Sequence, residues 1–519
     1  MDDPGAVKIR REIFVVDGVA PPPAPNGAPT PPEQNKVRVV RWRVDADPPR
    51  PARAIVVMMP GFLASAGAFD GLARAVVRRS TADDALEAWA IDRRSNLLED
   101  TWGLDVAEVK RDASIANRYY FDQEAVEGKS FAGIIQGNQI PWASEWGIAT
   151  TIGDLRNVIS LVPAVDRASR VVLLGHSLGA SIVEEYAAWD FGGAPGYRDV
   201  AAIALLDGVA GGEGAAMPSI DRAAYENGPM TTGTFSSPGV NGIRSGNVYT
   251  TLPFLGINAY IVAEYTAMRA RWTPADIVED SQRDNLLGVF LGQTPMPKVT
   301  NAAALGFTFD SASCPLSFVA VSCGSGNGGA ITPYTSLLGG MALHPSDPNA
   351  TYGWTAFDKA SPVENTSIDD FARGWFDGPG LNFAEWYFPS RLALDAQTAS
   401  TLNVADSDWR ASAYGLFAKH GAEIDAPILA VALALVKDAS KYDALKALVA
   451  PIGAGRVGAG KPRTDPDAFT ATAMPELTHV DGISGTDVAG SPVARWYDML
   501  VAFAKKQTPT GGVVVPIRK

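Results

Sequence analysis

The chain has 519 residues, 46% apolar and 19% charged, with a formal net charge of −13. That length predicts more than one domain, or one domain with a large insertion, and the chain can easily bury a core. The acidic balance argues against nucleic acid or an anionic membrane as partner, and no stretch of eighteen uninterrupted apolar residues is present to cross a bilayer.

The N-terminus, Met1-Asp2-Asp3-Pro4, lacks the basic-then-apolar pattern of a signal peptide. The protein therefore reads as soluble. A cytoplasmic location and export after loss of a leader both stay open. Two strands are predicted over 8–17 and 37–45, joined by an extended Pro-rich loop over 21–32. The all-apolar run Ala54–Met59 predicts a strand buried on both faces, ending in Pro60-Gly61-Phe62. A helix over about 68–79 follows, then a strand at Ala88–Ile91 that ends at Asp92. The helix beginning at Asp154 sets Leu155, Val158, Ile159 and Val162 on one face.

The strand Val171–Leu174 then runs into Gly175-His176-Ser177-Leu178-Gly179, and a helix with Ile182, Tyr186 and Trp189 on one face comes next. The strand Val200–Leu206 ends at Asp207-Gly208. Alternating strands and helices predict an α/β fold with a doubly wound, mostly parallel sheet.

The alternation stops over 211–420, a stretch rich in Gly, Ser, Pro, Asn and aromatics, with scattered helices such as 259–271. We read it as a cap inserted between two parts of one core, 1–210 and 421–519. Its aromatics, among them Trp354, Phe371, Trp375 and Phe383, serve either the cap's own core or the wall of a substrate channel. In the second case they favour an apolar or aromatic group. Gly324, Gly326, Gly328 and Gly329 read as a flexible segment. The pattern resumes with a strand over Pro427–Val436, a helix near 440–450, a strand over Phe469–Met474 and a helix from Ser491-Pro492 to about Ala504, leaving 505–519 as a tail.

The pentapeptide at 175–179 sits where a buried strand gives way to a helix, the context that a Gly-x-Ser-x-Gly nucleophile elbow requires. The plain alternative is a glycine-rich turn with an idle serine. A serine hydroxyl is a weak nucleophile until a base takes its proton and an acid orients that base. There are four histidines. His176 lies in the elbow, with its side chain expected to point away from Ser177. His344 lies within the cap. His420 reads as a helix C-terminal cap, and His479 lies in a loop between the last strand and the last helix.

With a serine at such an elbow and a histidine in that loop, the chain resembles the serine hydrolases of the α/β-hydrolase superfamily, in its esterase/lipase branch. The match covers about 55–460 discontinuously, plus the His479 loop. The resemblance implies the chain order Ser, acid, His, with Ser177 as nucleophile and His479 as base. Asp207 is the favoured acid, because a carboxylate at the end of seven buried apolar residues needs a partner, and some lipases of the superfamily carry their acid there. Asp438 follows the strand that more often supplies the acid, yet its neighbours Lys437, Lys441 and Asp443 read as a solvated helix start.

The resemblance also implies an oxyanion hole from the backbone N–H groups of Phe62 and Leu178. The implied activity is ester hydrolysis on a small, apolar or aromatic substrate. An amidase, thioesterase, peptidase, acyltransferase or non-catalytic binding protein on the same fold are the alternatives. Asp92-Arg93-Arg94-Ser95-Asn96 reads as a structural ion network or as pocket rim. Cys314 and Cys323 are either a small disulfide loop or two buried thiols. No zinc-like cluster or phosphate-binding Gly loop is apparent, so neither metal nor cofactor is expected.

Overall fold

A computed structural model of the chain describes residues 7–81, 83–210, 220–232, 235–252, 256–277, 297–336, 340–359 and 364–517. The cap boundary expected at Gly211 lies outside the described residues. Eight strands form the main sheet: β1 Ile9–Asp17, β2 Lys36–Val44, β3 Ala52–Met59, β4 Ala85–Asp92, β5 Val171–His176, β6 Ala202–Leu206, β7 Ile428–Ala432 and β8 Phe469–Ala473. Their order is β1-β2-β4-β3-β5-β6-β7-β8. The first two pairings, β1–β2 and β2–β4, are antiparallel, and every later pairing is parallel.

The apolar runs explain the parallel part. β4, β5 and β6 are buried at every residue, which requires helices on both faces. Helices α1 (Asp70–Arg78) and α6 (Pro492–Gln507) pack together against one face. Helices α2 (Ile148–Ile159) and α3 (Leu178–Ala188) pack together against the other. The start of α6 follows from its sequence: the Ser491 side chain accepts the Ala494 N–H at 3.0 Å, and Pro492 occupies the first turn. This is a doubly wound, mostly parallel sheet of the α/β-hydrolase type.

Register brings three strand ends to one edge. Met59 pairs with Gly175 and Gly175 with Leu205, so Pro60, Ser177 and Asp207 leave the sheet side by side. Loops at the carboxyl ends of parallel strands are where such sheets build sites. The chain leaves the sheet after β6 and returns at β7. In between, α4 (Asn258–Trp272) and α5 (Ile368–Trp375) pack on each other. Their buried faces join the sheet's own residues in one continuous apolar core, from Val56 and Leu173 to Tyr265 and Phe371.

Four sequence expectations change here. The strand expected over Pro427–Val436 ends at Ala432, for a reason given below. Gly326 lies in a short strand, Ser325–Asn327, paired with Thr351–Thr355, so this stretch is built into a small sheet. His420 does not end a helix of its own: its ring meets Glu423 at 3.0 Å, and it is its backbone N–H that caps the distant end of α3 by donating to Ala188 O at 2.8 Å. Finally, the described part of the expected tail, 505–517, is not loose. Helix α6 runs to Gln507, Val513 exchanges backbone hydrogen bonds with Ala52 at 2.8 and 2.9 Å, and Val515 is buried. Arg170 holds the same segment through the carbonyls of Pro509 (2.6 Å) and Gly511 (2.9 Å).

Candidate active site

The turn after β5 is as tight as the sequence requires. Ser177 has φ 57° and ψ −129°, a left-handed conformation that a non-glycine residue keeps only where its surroundings impose it. A Cβ on Gly179 would collide with the carbonyl of Met59, so only glycine lets β3 and α3 approach there. The turn after β3 lies directly against the serine. A Cβ on Gly61 would stand 2.6 Å from Ser177 Cβ and 3.2 Å from its Oγ. Leu178 is the first residue of α3, and its N–H belongs to the turn whose donors have no partner within the helix.

Asp207 is fully buried and also has positive φ, 49°. Its Oδ1 accepts the N–H groups of Leu433 at 2.7 Å and Val436 at 2.9 Å. Its Oδ2 accepts Leu435 N–H at 3.1 Å and His479 Nδ1–H at 2.7 Å. This explains the early end of β7. Residues 433–436 are apolar enough to extend a strand, but the N–H groups of Leu433, Leu435 and Val436 wrap a carboxylate instead of joining the ladder, and that of Ala434 donates to Leu477 O at 3.1 Å. A buried charge needs such a cradle. Burial pushes the Asp207 carboxyl up, but the bond to His479 and the cradle outweigh it and hold the group below the usual range. Asp438 is exposed, and its side chain accepts the Ser440 N–H at 2.8 Å as the cap of a short turn.

Because the Asp207 carboxylate only accepts, the bond places a proton on His479 Nδ1. The loop bearing His479 is fastened by Asp481, which the sequence reading did not single out. Asp481 is buried and accepts the N–H groups of Thr478 (2.9 Å) and Ser322 (3.0 Å) and the Thr366 hydroxyl (2.7 Å). Burial raises its carboxyl above the usual range, and these donors offset that only in part.

His176 lies closer to the site than its place in the pentapeptide suggests, among the residues that line the cavity with Ser177 and His479. The two imidazole rings lie 4.3 Å apart at 31°. His176 Nε2 is 3.0 Å from the carbonyl oxygen of His479, so it carries the proton, and the buried Nδ1 has no partner. Burial and then the neighbouring His479 push the His176 ring down to about 3, which keeps it neutral. The pentapeptide pattern says nothing about side-chain direction at this position, so no sequence signal pointed here.

The cavity has about 740 Å³ of empty space, part of it open to solvent. Beyond Gly61, Ser177 and the two histidines, its walls are mainly apolar, including Phe62, Phe309, Phe318, Trp375 and Phe383. Trp354 is not among them and packs on Phe307, and Phe371 packs on Phe309 and Trp375. The Phe62 ring is 4.7 Å from that of Phe388. His344 lies elsewhere, stacked on Tyr334 at 4.5 Å.

The segment 92–96 is an ion network: Asp92 pairs with Arg38 at 2.5 Å, Arg94 with Asp154 at 2.6 Å and Arg93 with Glu385 at 2.6 Å. Cys314 and Cys323 are free buried thiols, and burial pushes Cys314 up to about 12. Among the described residues, no group of three or more His, Cys, Asp or Glu side chains is placed to hold a metal ion, and no single helix is long and apolar enough to cross a membrane.

No protein-family model matches the chain, and no curated protein matches it. Among solved structures, it is similar to a protein assigned as a lipase from Sulfolobus solfataricus, with TM-score 0.41, 12% identity and 95% of each chain covered. It is similar to an epoxide hydrolase from Vigna radiata, with TM-score 0.37, 11% identity, and 96% of this chain and 98% of that one covered. It is also similar to a soluble variant of monoglyceride lipase from Saccharomyces cerevisiae, with TM-score 0.35, 10% identity and 97% of each chain covered. Identities and scores this low carry nothing about the reaction.

Proposed function

We propose that this chain, which has the α/β-hydrolase fold, is a serine hydrolase that cleaves carboxylic esters through an acyl-enzyme. The observation that carries the reading is the 2.7 Å bond from His479 to buried Asp207, with His479 and Ser177 lining the same cavity. Ser177 Oγ attacks the ester carbonyl carbon, and its proton passes to His479 Nε2. Asp207 holds the ring in the right tautomer and stabilises the imidazolium. The oxyanion of the tetrahedral intermediate accepts the N–H groups of Phe62 and Leu178, each such donor being worth roughly a hundredfold or more in rate. The C–O bond then breaks, and His479 returns the proton to the departing alkoxide. Water, deprotonated by the same ring, attacks the acyl group and releases the carboxylic acid. The reaction needs no metal or cofactor.

The mainly apolar wall favours a small neutral ester with an apolar or aromatic group. The segment 211–420 acts as the cap that supplies much of that wall.

The test is Ser177→Ala on short p-nitrophenyl esters. We expect kcat to fall by roughly a thousandfold or more, and a fluorophosphonate to label Ser177 in the wild type. Full activity in the variant, or labelling elsewhere, would refute the assignment.

A further inference from the structure

Arg93 follows β4 and is buried, with its guanidinium against the turn at 60–64. Its Nη1 donates to Pro60 O at 2.9 Å. Its Nη2 donates to Gly61 O at 2.8 Å and Ala64 O at 2.9 Å. Its Nε and Nη2 reach Glu385 Oε2 at 2.9 and 2.6 Å. Glu385 is fully buried, also accepts the Ser95 hydroxyl, and donates its own backbone N–H to Leu63 O at 2.9 Å. The carbonyls of residues 60, 61, 63 and 64 are therefore all fastened on the side of the turn where Arg93 and Glu385 lie. Leu63 is held at φ 58°, a strained value that such fastening explains.

Peptide planarity gives this arrangement a consequence. In a trans peptide the C=O and the next N–H point in opposite directions across one rigid plane. Gly61 C=O and Phe62 N–H share such a plane. Pulling Gly61 O onto the guanidinium turns Phe62 N–H the other way. The same Gly61 is packed against Ser177: a Cβ on it would stand 3.2 Å from the serine Oγ. We propose that Arg93, braced by Glu385, is a positioning residue for the oxyanion hole: it fixes the 61–62 peptide plane so that Phe62 N–H meets the developing charge. This rests on the serine-hydrolase reading above. Lysine could not replace it, because a point charge with three donors cannot bridge three carbonyls and a carboxylate in one plane. Removing Arg93 alone would leave Glu385 buried and unpaired, so the two are best removed together.

The experiment uses the full chain and three variants, Arg93→Lys, Glu385→Gln and the double variant Arg93→Met/Glu385→Met. Each is measured for thermal midpoint, kcat and KM on a short p-nitrophenyl ester, and inhibition by an alkyl trifluoromethyl ketone, whose hemiketal oxygen imitates the oxyanion. In Arg93→Lys and in the double variant we expect kcat to fall about a hundredfold, KM to stay within about twofold, and ketone affinity to fall in step with kcat. Glu385→Gln, which keeps Arg93 on the carbonyls, should lose less than about fivefold. The inference is overturned if folded variants keep their kcat, if kcat falls while ketone affinity does not, or if Glu385→Gln loses as much as Arg93→Lys. Failure of both Arg93 variants to fold would also overturn it, by making the pair a folding element. Wild-type labelling separates the two readings: no fluorophosphonate on Ser177 sinks the hydrolase assignment itself, whereas a labelled wild type with unaffected variants sinks only the role of Arg93.

Discussion

The two loops that frame the cavity are held from behind by charges of opposite sign. In the loop at 60–64, three carbonyls converge on the cation of Arg93. In the loop at 478–481, an N–H of the loop itself, an N–H from Ser322 and a hydroxyl from Thr366 converge on the anion of Asp481. On the hydrolase reading proposed above, the difference follows from what each loop has to present. A turn that offers N–H groups to the cavity turns its carbonyls outward and needs a donor there. A loop that offers an imidazole leaves backbone N–H groups outward and needs an acceptor. Both anchors also draw on the segment between β6 and β7, through Glu385 on one side and Ser322 and Thr366 on the other. That segment therefore helps hold both loops in place.

The sharpest way to test the His479 side is to remove its acid. Asp207→Asn should lower kcat by about 10⁴ because the ring loses its tautomer, while Asp438→Asn, on an exposed turn, should leave kcat within about twofold; steady-state kinetics on one ester compare them. The next largest effect should come from Asp481→Ala. It strands two buried donors, from Ser322 and Thr366, and a half-buried one from Thr478, each buried one costing about 1–3 kcal/mol measured by denaturant unfolding. By letting His479 drift it should also lower kcat by up to about a hundredfold, with labelling at Ser177 slowed in parallel. Stability intact together with full activity would mean that the two loops are not symmetrically anchored.

The smallest effect concerns pH. The buried His176 ring resists protonation, with a value near 3 against 6.5 when unfolded. Below the unfolded value the unfolded chain therefore binds a proton that the folded chain refuses, and stability falls as pH falls from 6.5 toward 3. His176→Phe should flatten that loss, by on the order of 1–2 kcal/mol between pH 7 and pH 5, read as the change in urea midpoint at the two values. An unchanged slope would show that the ring is not held neutral.

Much of the fold was legible because parallel strands announce themselves as uninterrupted apolar runs, and β3, β5 and β6 are such runs. The turn at Ser177 was legible because its glycines are forced by contact. What stayed hidden was the work done by backbone. Leu433 to Val436 looks like strand in side-chain terms, while its function in the structure is carried by N–H groups that every residue but proline possesses. Arg93 and Glu385 are 292 positions apart, and nothing local marks them as partners. Asp481 sits two residues beyond His479, but its donors come partly from Ser322 and Thr366, more than a hundred positions away. The packing of the C-terminal end was hidden for the same reason, since it is carried by backbone pairing of Val513 with Ala52.

The continuous core has a practical corollary. The cavity walls come from both the sheet loops, through Gly61 and Val480, and the helices beyond them, through Tyr260 and Trp375. A molecule seated there is thus linked to unfolding of the whole chain rather than of a detachable lobe. At a hundred times its dissociation constant it would add about 2.7 kcal/mol to global stability. Thermal-shift screening of neutral esters and their slow analogues on Ser177→Ala would then rank candidate substrates by melting temperature before any turnover is seen.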